Sequence, residues 1–292
     1  MSRARPAGAL AGLAVAAAAL VVGLAGCGGS SSDSAITAPK VAPAQTTHLA
    51  AFAPAGTVAP GKPVTMTFDI KLPNGKTLTQ YKTGPGPHTG VHLIIVRNDL
   101  AYIIHQHPPI PPSGVLRQSI TFPAPGPYHV LVDVYPNVPG MLPNFQLSRS
   151  VTVTGAYHPK KLPPFKAHEV VDGVHFDMQP FSPLHAIQAT FLHVNVTDAH
   201  GKPIRFTPWF GALAHAIFFE NGTLNYFHTH VCAPDAPNCG SLAGAPKISG
   251  SSSAPGKLTL GVLLPVPGTW RLFVQLKLHG RVVTAPFTLD VH

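Results

Sequence analysis

Seventeen histidines stand among the 292 residues, and six of them recur in one pattern. HLIIVRNDLAYIIHQH, from His92 to His107, aligns with HAIFFENGTLNYFHTH, from His215 to His230, at a constant offset of 123. Histidines coincide at three positions, pairing His92 with His215, His105 with His228 and His107 with His230. Neutral imidazole is a good ligand for Cu(II), Zn(II) or Ni(II), and three ligands on a rigid element leave a position open for water or another ligand. A His-x-His on a strand also has a bland use, hydrogen-bonding backbone and neighbouring rings at the mouth of a sheet. Both readings stay open, because a duplication copies structural histidines as faithfully as ligands. His88, in GPGPHTG, aligns with Gly211 and reads as a solvated loop residue.

Other chemistry finds little material. The 11 acidic residues are scattered, several of them in turns such as Asp99, Asp172 and Asp198, and no Gly-rich phosphate loop, nucleophile elbow or His-Glu-x-x-His segment occurs. The nearest acid to the second histidine set, Glu220, falls at the far end of its hairpin, so no general base is expected there and the chain does not read as an enzyme. A blue-copper site needs a thiolate beside two histidines. Cys232 and Cys239, in CAPDAPNC, are instead expected to form a local disulfide, and Met66 reads as core.

The elements that carry the histidines are strands. Asn221-Gly222 is a two-residue hairpin signal of type I′, and counting back from it puts His215 opposite His228, with His230 on the same face. Asn98-Asp99 gives the same arrangement for His92, His105 and His107. A site in each repeat is the expectation. Around these hairpins run VTMTFDI, RQSITF, YHVLVDVY and SVTVTG, then ATFLHVNV, KLTLGVLL, TWRLFVQLKL and VVTAPFTLDV, divided by turn signals. This is the grammar of an all-β chain, two tandem antiparallel β-sandwiches, with no helix expected after the leader. PNGK at 73–76 matches AHGK at 199–202, and PAPGPYHVLV at 123–132 matches PVPGTWRLFV at 265–274, so the chain is an internal duplication. Its expected units are repeat 1 at 48–156, a linker YHPKKLPPFK at 157–166, and repeat 2 at 167–292.

Compartment follows from the start of the chain. Arg3 and Arg5 precede an apolar run from Ala7 to Leu24, the pattern of an export signal over residues 1–26. LAGC at 24–27 resembles the lipobox of bacterial lipoproteins, in which the cysteine is lipidated and becomes the mature N-terminus, so Cys27 is the expected anchor. A Gly/Ser/Ala/Pro tether follows over 27–47. With 20 Lys+Arg against 11 Asp+Glu the chain is basic, yet no basic run interleaved with aromatics appears. An exported chain of this kind points to membrane or envelope partners and not to nucleic acid.

HLIIVRNDLAYIIHQHP, FGALAHAIFFENGTLNYFHTHV and PGTWRLFVQLKLHGRVVTAPFTLDV together resemble exported bacterial β-sandwich domains, often lipoproteins, associated with copper or heavy-metal handling. The resemblance implies an Ig-like sandwich similar to that of cupredoxins. It implies His92, His105, His107, His215, His228 and His230 as ligands for copper or zinc, and a metal-transfer or envelope partner. The chain departs from that pattern at Val231, which replaces the proline after the H-x-H, and in the Cys-bearing insertion after it. The function expected is a lipid-anchored extracytoplasmic metal-binding protein. The alternative is a non-catalytic envelope interaction module with architectural histidines.

Overall fold

The computed structural model describes residues 46–233 and 248–292. Residues Gln45–His292 form one compact unit. The expected signal at 1–26, the expected lipidation site Cys27, most of the tether, and Cys239 lie outside the described residues.

Among the described residues every regular element is a strand, as the alternating runs require. Repeat 1 contains β1 (His48–Ala53), β2 (Pro63–Lys71), β3 (Val91–Arg97), β4 (Ile103–Gln106), β5 (Leu116–Thr121), β6 (Gly126–Val134) and β7 (Phe145–Val153). These form two sheets, β1-β2-β5 and β4-β3-β6-β7. Met66, Phe68, Leu93, Ile95, Tyr128 and Val130 fill the core between them.

Repeat 2 contains β8 (His168–Val171), β9 (Val174–Met178), β10 (Thr190–Thr197), β11 (Ala214–Glu220), β12 (Tyr226–Cys232), β13 (Gly250–Ala254), β14 (Lys257–Val262), β15 (Gly268–Leu278) and β16 (Arg281–Val291). They hydrogen-bond in one continuous order, β16-β15-β11-β12-β13-β14-β10-β9-β8. The ribbon wraps around a core of Phe176, Leu192, Phe218, Leu260, Trp270 and Phe287. The purely antiparallel expectation is corrected at β12 and β13, the two named strands that pair in parallel. Their connection, 233–249, has the length that a parallel crossover needs.

The register expected for both hairpins is also corrected. His215 lies opposite His230, not His228, and Phe219 lies opposite Tyr226. Four residues, Asn221 to Leu224, form the loop, with Gly222 and Leu224 at positive φ and Glu220 N–H donating to Asn225 O at 2.9 Å. In repeat 1, Ile94 lies opposite His105, and Arg97 N–H donates to Tyr102 O at 3.0 Å around the equivalent loop. A two-residue turn at Asn-Gly loses because Leu224, and Leu100 in repeat 1, enter the left-handed region and let their side chains join a buried apolar cluster. The shift is two residues in each copy. Strand side chains alternate with period two, so the histidines keep the face that the sequence assigned them.

β3 is buried at every position, and β11 at every position except Glu220. Each strand packs on both faces. Leu93 and Ile95 enter the core of repeat 1, whereas Ile94 and Val96 point out of it. Ala216 and Phe218 enter the core of repeat 2, whereas Ile217 and Phe219 point out. The outward rows, with Leu131 of β6 and Phe273 of β15, form a third buried cluster that joins the two repeats.

Phe219 is fully buried in this joint. We expect Phe219→Ala to cost about 3–5 kcal/mol of stability in urea denaturation. Phe191→Ala, at a position 43% exposed, should stay within about 0.5 kcal/mol.

Candidate metal centre

The outward face of β3 carries His92 in the same row as Ile94 and Val96, and the outward face of β11 carries His215 in the row of Ile217 and Phe219. The apolar ends of these rows make the inter-repeat cluster, and the histidine ends extend it. Past the strand end of β4 comes His107, and with His105 it faces the same way; His228 and His230 do so on β12. The expectation of one site per repeat is corrected, because all six histidines meet in a single cluster at the joint.

Ring contacts across the joint follow the duplication. His92 and His228 have centroids 5.4 Å apart, and their counterparts His215 and His105 lie at 4.8 Å. His92 reaches His230 at 5.7 Å and His215 reaches His107 at 6.4 Å. His105 and His228, each the counterpart of the other, sit 5.4 Å apart. A two-fold relation between the repeats thus runs between these two rings. Within each triad, His92 stacks on His107 at 4.0 Å and His215 meets His230 at 5.0 Å.

Two loops fix the rings at the back. His92 Nε2–H donates to Pro87 O at 2.7 Å, and His215 Nε2–H donates to Trp209 O at 2.9 Å. A hydrogen on Nε2 leaves the lone pair of each neutral ring on Nδ1. Phe210 and Gly211 both have positive φ, giving Trp209–Ala212 the tight turn expected at Asn221-Gly222. Phe210 lies flat on His107, centroids 3.8 Å apart. A Cβ on Gly211 would sit 2.3 Å from the backbone carbon of Gly86, so only glycine lets the repeat-2 loop seat on the repeat-1 loop.

Three ring nitrogens in the cluster are buried and lack a hydrogen-bond partner: His92 Nδ1, His228 Nδ1 and His230 Nε2. The same three residues can offer ligand atoms within 4.8 Å of one another, as can His92, His105 and His107, and also His105, His215 and His228. The remaining polar contacts are short. His215 Nδ1 and His228 Nε2 are 3.2 Å apart, His105 Nε2 and His107 Nε2 are 3.1 Å apart, and Gln275 Oε1 accepts from His105 Nδ1 at 3.2 Å.

The reading that no acid stands near the histidines is corrected as well. Asp133 lies opposite His92 in the β3–β6 register, buried, with Oδ2 4.0 Å from His92 Nδ1. Asn144, Gln146, Tyr135 and, from the other repeat, Tyr226 donate to its oxygens. Burial nevertheless pushes its pKa up to about 6 against those donors. Gln275 holds the matching place opposite His215. The signal was present in YHVLVDVY, where one acid interrupts an apolar strand at the position of Gln275 in the second copy. His88, read as a solvated loop residue, is half-buried with its ring 4.8 Å from His230. Met66 is core as expected, and so is Met178.

Burial, and repulsion from neighbouring rings, hold the cluster uncharged. His92 is pulled down to about 3, by burial first and by His215 second, against the Pro87 bond; burial takes His215 down to about 4. His105, His107, His228 and His230 are lowered for the same reasons.

Residues 169–292 match a protein-family profile described as a Domain of unknown function (DUF8832). No curated protein matches. Among solved structures, Salmonella alpha-2-macroglobulin is 13% identical over 86% of this chain and 15% of its own, with a TM-score of 0.25. Invasin, a bacterial integrin-binding protein, is 17% identical over 84% of this chain and 39% of its own, with a TM-score of 0.22. Fibronectin(III)-like modules of Clostridium thermocellum are 10% identical over 83% and 92%, with a TM-score of 0.20.

The lowered imidazole pKa values set a pH dependence with a definite sign. Unfolded histidines protonate near 6.5, while the folded rings resist protonation down to about 4 for His215 and about 3 for His92. Between those limits the unfolded chain binds more protons, so stability is full above pH 6.5 and falls as acid is added. Each such ring contributes roughly 1.4 kcal/mol per pH unit, partly offset below pH 6 by Asp133, whose raised pKa acts with the opposite sign. The melting temperature of the metal-free protein should therefore drop steadily from pH 6.5 to pH 4; a flat profile would contradict the buried cluster.

Proposed function

We propose that the chain is an extracytoplasmic, lipid-anchored protein whose inter-repeat histidine cluster binds a transition metal, copper or zinc. The observation that carries this reading is the trio of partnerless nitrogens on His92, His228 and His230, drawn from both repeats. Leaving a buried polar atom unpaired costs about 1–3 kcal/mol each, so three together are a large penalty unless something occupies the space between them. A borderline divalent ion meets all three lone pairs at once. Asp133 beside His92 then supplies a negative charge to the ion's surroundings.

The site reads as a binding centre and not as a catalyst, its task being to hold or hand on the ion. Anchoring through Cys27 after removal of 1–26, and a disulfide between Cys232 and Cys239, belong to the same proposal. Cys232 follows His230 by two residues on β12, so a staple there would brace the histidine strand.

The competing reading, an interaction module with architectural histidines, is favoured by the bonds from His92 to Pro87, His215 to Trp209 and His105 to Gln275. Titration calorimetry of Cu(II) and Zn(II) into the Ser30–His292 fragment separates the two. Tight binding should be lost in the His92→Ala/His228→Ala/His230→Ala variant with its far-UV dichroism intact, and should persist below pH 6 because the fold keeps the ligands neutral. Binding no tighter than that of an unrelated histidine-containing protein would leave the histidines architectural.

A further inference from the structure

His228 is common to two of the candidate triads. Its Nδ1 is buried without a hydrogen-bond partner, and the residue groups with His92 and His230 in one triad. Its Nε2 lies 3.2 Å from His215 Nδ1, on the side of the triad completed by His105. Two ligands of one tetrahedral ion, each about 2.0 Å from it, stand roughly 3.3 Å apart. The His215–His228 separation therefore matches the edge of a coordination tetrahedron as well as it matches a hydrogen bond. Gln275 accepts from His105 Nδ1 and so leaves the lone pair of that ring on Nε2.

We propose that the centre holds two divalent borderline ions, Cu(II) or Zn(II), bridged by the imidazolate of His228; this rests on the metal-binding function proposed above. The first ion takes His92 Nδ1, His228 Nδ1 and His230 Nε2. The second takes His228 Nε2, His215 Nδ1 and His105 Nε2. Bridging removes the remaining ring proton of His228, which passes to solvent as the second ion binds, and no electron is transferred. The two ions are unequal because the duplication is: Asp133 stands on the first ion's side, where the second has neutral Gln275.

The test is to load the metal-free full chain with Cu(II), count ions per chain by plasma mass spectrometry, and record the electron paramagnetic resonance spectrum. Two ions per chain with a spin-coupled spectrum are expected. His105→Ala and His230→Ala should each retain one ion with an uncoupled spectrum, and His228→Ala should abolish coupling. One ion per wild-type chain overturns the bridge and leaves the simpler binding function standing. Two ions without coupling, or coupling that survives His228→Ala, also overturn it. No bound ion at all overturns the binding function itself. The wild-type count and spectrum decide the matter even if a variant fails to fold.

Discussion

Burial of β3 and β11 on both faces is the constraint from which the rest of this structure follows. One face of each strand completes the core of its own repeat, and the other must be covered by something else. The repeats cover each other, Ile94, Val96 and Leu131 against Ile217, Phe219 and Phe273. Once those apolar rows meet, the histidines that continue them have nowhere to go but into the same joint. The cluster is thus a consequence of apolar packing, which supplies the driving force that gathering six imidazoles out of water lacks.

Desolvation then gives the cluster its character. In water, six nearby imidazoles would share protons around neutral pH; in the joint, burial and mutual repulsion keep them neutral. Each neutral ring keeps one lone pair, and two loop carbonyls decide which nitrogen of His92 and His215 carries it. The glycine contact at Gly211 and Gly86 matters for this reason, since it allows the two carbonyl-bearing loops to seat against each other.

The two-fold relation is broken beside the cluster. Asp133 and Gln275 occupy matching places, but one is a carboxylate held by four donors, including Tyr226 from the opposite repeat, and the other is a neutral amide bonded to His105 and Thr284. The buried acid costs desolvation there and gains only neutral hydrogen bonds.

The sequence by itself determined the all-β class, the duplication, and that three histidines in each copy share a face. That last result survived a wrong turn type, because a register shift of two leaves strand parity untouched. The apolar runs after His92 and His215, LIIV and AIFF, carried a signal of strands buried on both sides that the hairpin reading left unused. Only the tertiary structure decided what covers the second face, and with it that two expected sites are one, that Asp133 and His88 stand beside it, and which nitrogens are left unpaired. Local periodicity reports which side chains point together along one strand. Which sheet lies opposite depends on contacts between residues more than a hundred positions apart, and these leave no trace in the period of either strand.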